Sequence, residues 1–409
     1  SSVAVHEFVR GMGAGAATVL GGGMTSAAPW AALANGASAH APEMDDVTTE
    51  SSLHPGVAVI PAALALAEEG GAAGTAFLEA VVGGYEVTMR VGNALDPASS
   101  YERGFHPTGV AGVFGAAVAA GRLLGLDQGA LVRAIGIAGT MASGSMEYLA
   151  DGAWTKRLNP AWAAHAGIVA AGLARTGFTG PAGALDGRLG VLRGYTDHPL
   201  PERLTDRLGD PLMVTRVSIK PYACCRYNHG LIDGVLRLRR EHGLVPDDVA
   251  RIRLGVLSGG WLLVADPIDA KRAPRNSVDA QFSAPYAAAV ALVHGRAGLA
   301  EYGDDAVGDP AVRAVMSRTD CVRDPSLDAV YPARWPATVE IDTRDGRTLR
   351  ARVEHALGEP ENPVPRDALV ERFVSLVADR VAEGGAREVA ARVLTLDSER
   401  DLSVVRRLG

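Results

Sequence analysis

Titratable or cationic side chains stand at four places where the sequence starts a helix: His54-Pro55, His106-Pro107-Thr108, Lys156-Arg157-Leu158-Asn159-Pro160 and Asn228-His229. A helix start presents unpaired N–H groups and a partial positive charge, so it attracts anions and keeps nearby imidazoles neutral. Imidazoles and ammoniums gathered there describe an anion site that already contains acid/base groups. Small polycarboxylates are its natural guests. Taken singly, each histidine reads as a satisfied, partly buried side chain; their common placement is what points to chemistry.

An acidic segment, HAPEMDD, places Glu43, Asp45 and Asp46 just ahead of Thr48, Thr49 and His54. With His40 as a further ligand this set suits a divalent cation. The preferred reading is that the carboxylates orient imidazoles and cap helices, because the surrounding Lys, Arg and His repel a cation and attract an anionic substrate. No metal and no cofactor is expected. Cys224 and Cys225 are adjacent and Cys321 is distant, without a CxxC, so neither a disulfide framework nor an iron–sulfur cluster is indicated. The remaining histidines, His6, His165, His198, His242, His294 and His355, lack such company and read as structural or exposed.

The elements that must position these groups follow from pattern. The chain has 409 residues, 47% hydrophobic and 21% charged, enough to bury a large core divided between about two domains. Its net charge of -7, with no Lys/Arg block, argues against nucleic acid and anionic membranes as partners. No apolar run approaches the ~20 residues of a bilayer span, and SSVAVHEFVR does not read as a secretory signal; a cytoplasmic protein is expected.

Up to about Val217 the sequence is a series of Ala/Gly-rich helical segments. Pro55 opens one that ends at Gly70-Gly71 with a kink predicted at Pro61, Thr108 caps one from Gly109 to Leu124, and Asn159-Pro160 opens another that stops at Gly177. Gly109, Gly112, Ala116 and Ala120 give a small face for close helix approach. GMGAGAA near the N-terminus follows no strand and reads as packing, not as a phosphate cradle. After Val217 the stretches VTRVSIKPY, VARIRLGVL and ATVEIDTRDGRTLRARVEHA read as strands, the last folded at Asp345-Gly346, with helices over Asn228–His242 and about Val278–His294. From Asp367 helical periodicity returns, as a tail that packs on the first domain. The fold expected is mostly α: an all-helical domain over 1–217 and 361–409, and a smaller α+β lid domain over 218–360.

Six strings, NGASAHAPEMDD, HPG, GFHPTGVAGVFGAAVAAGRLLGLD, TKRLNPAWAAHAGI, KPYACCRYNHGLID and QFSAPYAAAVAL, occur in that order, and together they resemble the MmgE/PrpD family over nearly the whole chain. That family includes 2-methylcitrate dehydratase, cis-aconitate decarboxylase and iminodisuccinate epimerase. The resemblance implies a homodimer whose site lies between lid and helical domain and acts on small di- or tricarboxylates without a metal. By motif it implies catalytic roles for His54, His106, Lys156, His229 and Tyr286, and places Glu43, Asp45, Thr48, Arg157, Lys220 and Arg226 at the substrate. Glu43 stands where the family often has Asp, the spacing to His54 leaves Thr48 or Val47 at the loop position, and the family pattern expects an opening helical pair ahead of Ser1.

Each of the three reactions builds carbanion-like charge beside a carboxylate, so the site must neutralise carboxylates and manage one proton. Lys156, Arg157 and Arg226 suit carboxylate clamps. His106 or His229 suits the base, His54 or Tyr286 the acid, and the strand with Lys220 closes over the substrate. An ample acid/base set points first to dehydration of a 2-methylcitrate-like hydroxy acid. Decarboxylation and epimerisation are the alternatives, and a non-catalytic carboxylate-binding protein is the reading from another class.

Overall fold

Helices that position the candidate site come first in the chain. A computed structural model describes residues 1–409. Helices α1 (Ala28–His40), α2 (Gly56–Gly70), α3 (Gly74–Ala94), α4 (Pro107–Leu123), α5 (Gln128–Ala138) and α6 (Thr155–Arg175) pack into one body, with α4 at its centre against α2, α3, α5 and α6. Fifteen of the 17 residues of α4 are buried, nearly all Gly, Ala or Val. Only small side chains permit so many helices to meet around one axis. No helix is long and apolar enough to cross a membrane.

Several helix boundaries differ from the sequence reading. α4 begins at Pro107 with His106 as its N-cap residue, and the Thr108 hydroxyl instead accepts from the His54 backbone N–H at 3.1 Å. α6 begins at Thr155, four residues before Asn159, so Lys156 and Arg157 lie in its first turn and Pro160 lies inside it. At the sixth position Pro160 lies beyond the first turn, so it leaves the Lys156 carbonyl without an i+4 N–H donor. The stops agree better: Gly71 and Gly125 take the left-handed conformation at φ +61° and +68°.

The smaller part is α+β. Its four-stranded sheet has the order β4-β3-β5-β6, where β3 is Val249–Val256, β4 Thr319–Arg323, β5 Ala337–Thr343 and β6 Thr348–Val353; β3 runs parallel to β4 and antiparallel to β5. Ile252 sits opposite Thr319 on one side and Ile341 on the other. α7 (His229–His242) lies on β5 and β6 and also against α8 (Ala284–His294). The expected helix from Val278 is broken at Phe282, because Ser283 caps α8 by accepting from the Tyr286 N–H, with Pro285 just inside its start. Of VTRVSIKPY only Ser218–Ile219 is a strand (β2), paired antiparallel with β1 (Asp46–Val47) of the helical part; Lys220 is followed by Pro221, which has no N–H to extend the ladder.

Apolar cores follow the same division. One cluster joins residues between Tyr222 and Ala351 with Met146 and Tyr148; another joins the helical part with Val389, Leu396, Leu402 and Val404, so the chain's last segment packs on the helices. The lid therefore rests on the loop that carries Tyr148.

Candidate active site

Several segments from the helical part and several from the lid converge on a cavity lined by Glu43, His54, His106, Tyr148, Lys156, Lys220 and Arg226, with Phe282 and Trp335 as apolar walls. His40 ends α1 and stacks behind His106 with ring centroids 6.0 Å apart; His54 lies 5.0 Å from His40 and 6.4 Å from His106. The chain reverses after α1 through Glu43, at φ +54°, a left-handed conformation unusual for a residue with a side chain. That turn aims the Glu43 carboxylate inward, where it accepts from both Lys156 Nζ and Lys220 Nζ, the latter at 2.9 Å.

Carboxylates of the acidic segment are divided among separate tasks. Asp45 accepts from His40 Nδ1 at 2.6 Å and from Lys220 Nζ at 2.9 Å. Asp46 turns the other way, accepts from the Gly56 N–H at the start of α2 and from the Tyr85 hydroxyl at 2.6 Å, and so fixes the approach to His54. Orientation of imidazoles and capping of a helix are the roles expected for this segment.

Hydrogen bonds define the tautomers of the two histidines that line the cavity. His54 Nδ1 is 2.7 Å from the Asp46 carbonyl oxygen, an acceptor, so Nδ1 carries the proton and Nε2 holds a lone pair. His106 Nδ1 is 3.3 Å from the Asn159 amide nitrogen, which also donates to the Ser145 carbonyl; Nδ1 accepts, and Nε2 carries the proton. Two neutral imidazoles thus present opposite faces of their chemistry. Burial, aided by Lys156, holds His106 well below the ordinary histidine range. Burial brings His54 down to about 3 against the opposing pull of Asp45.

The lysines differ from one another. Burial lowers the Lys156 ammonium, opposed by Glu43, and Nζ lies 5.0 Å from the Phe282 ring centre. Lys220 is raised: although its burial acts to lower it, Asp45 and Glu43 together prevail. Arg226 is paired with buried Glu359, which His355 Nδ1 also contacts at 2.9 Å. Three cations, Lys156, Lys220 and Arg226, face three carboxylates, Glu43, Asp45 and Glu359. The cavity holds about 30 Å³, the room of a single water.

Other expected residues lie elsewhere. His229 is fully buried in α7, where Nε2 faces the Cys224 carbonyl at 3.3 Å and the ring sits edge-on to Tyr222. Tyr286 is fully buried in α8 and donates to the Glu301 carbonyl at 2.7 Å. Arg157 points outward to the Ser1 hydroxyl, one position around the helix from Lys156. Thr48 pairs with Ser51 and lines a separate small cleft, while Val47 takes the cavity-facing position. His229, Tyr286, Arg157 and Thr48 do not line this cavity. The structure adds Tyr101, Tyr148 and Tyr227 to the lining, and it sets His40 and Asn159, read from the sequence as a possible metal ligand and a helix opener, against the cavity's histidines.

The match to known families is now informative. The MmgE/PrpD N-terminal domain matches residues 2–204 and the MmgE/PrpD C-terminal domain residues 222–397. The chain belongs to the MmgE/PrpD family. As a member of that family it is 30% identical to the cis-aconitate decarboxylase-like protein oryM of Aspergillus oryzae over 91% of this chain and 80% of that one. It is 28% identical to the cis-aconitate decarboxylase of Aspergillus terreus over 95% of this chain and 82% of the relative. Similarity to the mitochondrial 2-methylcitrate dehydratase of Yarrowia lipolytica, 28% identity, covers 37% of this chain and 30% of that one. The C-terminal family domain runs to residue 397, although Val389 and Leu396 pack with the helical core.

Proposed function

We propose that this MmgE/PrpD protein is a lyase for a small unsaturated tricarboxylate and that it decarboxylates a cis-aconitate-like substrate. The observation that carries the reading is the Lys156 ammonium in the same cavity wall as the His106 Nε2–H donor, with Lys220 across from them. One substrate carboxylate displaces Glu43 from a lysine. As the C–C bond to a second carboxylate breaks and CO2 leaves, the electron pair moves through the double bond into a remaining carboxylate, where Lys220 and the His106 N–H stabilise it. Lys156, made more acidic by burial, returns a proton to carbon. Long matches to decarboxylase relatives over more than nine-tenths of the chain support this choice.

Dehydration, the expectation from sequence, is the second reading, and the opposite tautomers of His54 and His106 favour it: one supplies a lone pair for an α-proton, the other a donor for departing hydroxide. Proton NMR in deuterated buffer with cis-aconitate, 2-methylcitrate, citrate and iminodisuccinate separates the possibilities. Loss of one carbon with new methylene signals from cis-aconitate is the expected outcome. A new alkene with all carbons retained from 2-methylcitrate would establish the dehydratase, and deuterium exchange without a changed skeleton an epimerase. Silence with all four, while a tricarboxylate still binds, would favour a carboxylate-binding protein.

A further inference from the structure

Beside the charged cavity lies a second, much larger space, a cleft of about 800 Å³ between the helical part and the lid. Tyr101, Met146 and Leu263 line both spaces, so the two adjoin at a neck that these three side chains form. Beyond the neck the walls change character. Ala98, Phe105, Leu149, Tyr195, Leu262 and Tyr331 supply apolar surface, and Leu262 is 68% exposed. A mouth built only to draw in polyanions carries basic residues, because a field of one sign raises the local concentration of the opposite charge. This mouth carries Glu102 and Glu147, and its one arginine, Arg103, is already bound to Asp197 at 2.5 Å and to the Gly194 carbonyl.

Resting on the proposed function of the inner cavity, we infer that the outer cleft is a binding site for an aliphatic extension of the substrate: the carboxylate head lies among Lys156, Lys220 and His106, and an uncharged alkyl chain passes the neck to lie on Leu262 and Ala98. The substrate class is an alkyl-substituted tricarboxylate. A carboxylate or phosphate in the outer cleft would meet Glu102 and Glu147 without a free cation. A hydrocarbon chain meets apolar walls and loses no hydrogen bonds.

The test is direct binding by calorimetry of propane-1,2,3-tricarboxylate and of its butyl and hexyl derivatives to the parent protein and to Leu262→Glu and Ala98→Trp. Both substitutions are at exposed positions outside the charged cavity. The expected result is an affinity that rises about two- to fourfold per methylene, a gradient that collapses in both variants, and unchanged affinity for the tailless acid. Equal affinity for tailed and tailless acids overturns the inference and leaves the inner site standing, as does a gradient that both variants preserve. Failure of the tailless acid to bind, with tailed acids still bound through a Leu262-sensitive gradient, overturns the proposed head-group site instead. No binding by any of the three overturns both.

Discussion

At the scale of residues, the site is a set of neutral bases held next to paired charges. His54, His106, Lys156, Lys220 and Glu43 were legible because several short motifs carry them and the helix starts at His106 and Lys156 turn them to one cavity. Tyr148 was not, nor were the parts that His40 and Asn159 take from within those motifs, since each acts through a tertiary contact that no spacing encodes. Nearness to a helix start suggested His229 and the family motif suggested Tyr286, but neither signal says which face a side chain takes, and both side chains are buried in the lid. Activity distinguishes these groups: Lys156→Ala and His106→Ala should each lower kcat by ~10²–10⁴-fold. Tyr286→Phe should stay within about threefold in kcat while losing about 1 kcal/mol of stability in urea unfolding, the worth of one hydrogen bond. Acid sensitivity provides a second check. Burial lowers His40, His54, His106 and His229. Below about pH 6.5 the unfolded chain takes up protons that these folded imidazoles refuse, so stability falls with falling pH, and the share from His54 continues falling to about 3. Asp46, raised to about 6 by burial, has the opposite sign: between about pH 4 and 6 its folded form keeps a proton that the unfolded form gives up, so its contribution is lost as pH rises. Four histidines outweigh one carboxyl. Urea unfolding at pH 7, 6 and 5 should show a steady loss, about 1.4 kcal/mol per pH unit for each histidine fully engaged; a flat profile would contradict the burial of these rings as neutral groups.

At the scale of elements, glycine and alanine determine how the helices approach. A Cβ on Gly115 of α4 would collide with the Thr88 side chain and with the Gly84 carbonyl of α3, and one on Gly167 of α6 would meet the Ala116 Cβ and backbone of α4. Both collisions include backbone, which cannot rotate away. The sequence showed the small face of α4, and its glycine stops, because composition and chain ends are local signals. Helix starts were less legible: α6 begins at Thr155, with Trp154 already at helical backbone angles, and its proline falls in the second turn, so a proline does not by itself mark the first residue. Strand β4 escaped notice since TDCVR has neither strict alternation nor a hairpin signal and is held by parallel pairing to β3. Gly115→Ala should therefore destabilise by about 1–3 kcal/mol, the range for overpacking, whereas Gly172→Ala, where a Cβ meets nothing within 4 Å, should be neutral or slightly stabilising. Thermal unfolding of the two variants side by side tests whether close helix approach, and not helix propensity, governs this bundle.

At the scale of the whole molecule, the two parts are joined where the chemistry happens. Lys220 follows β2, the short strand that pairs with β1, and its ammonium is shared by Glu43 and Asp45 of the helical part. Ile219 is tied in turn to the Gly358 carbonyl, where the chain leaves the lid, and Arg372 of the C-terminal segment donates to the Lys220 carbonyl. If the proposed function holds, the small volume of the inner cavity requires the lid to open, and the Lys220–Glu43 pair to part, before a tricarboxylate enters. Binding then changes the charge balance. Three cations already face three carboxylates, so a guest with three negative charges enters a cavity without surplus positive charge. The responsive groups are the neutral imidazoles: an anion within a few ångströms favours their protonated forms, reversing part of the lowering that burial imposed. Binding of propane-1,2,3-tricarboxylate at pH 7 should consequently take up about one proton or more per site, read as a dependence of the calorimetric enthalpy on the ionisation enthalpy of the buffer. Replacing His106 with Ala should reduce that uptake. Binding with no proton uptake in any buffer would mean that the cavity carries unpaired positive charge on opening, and that Glu43 or Asp45 swings out with the lid as the acid enters.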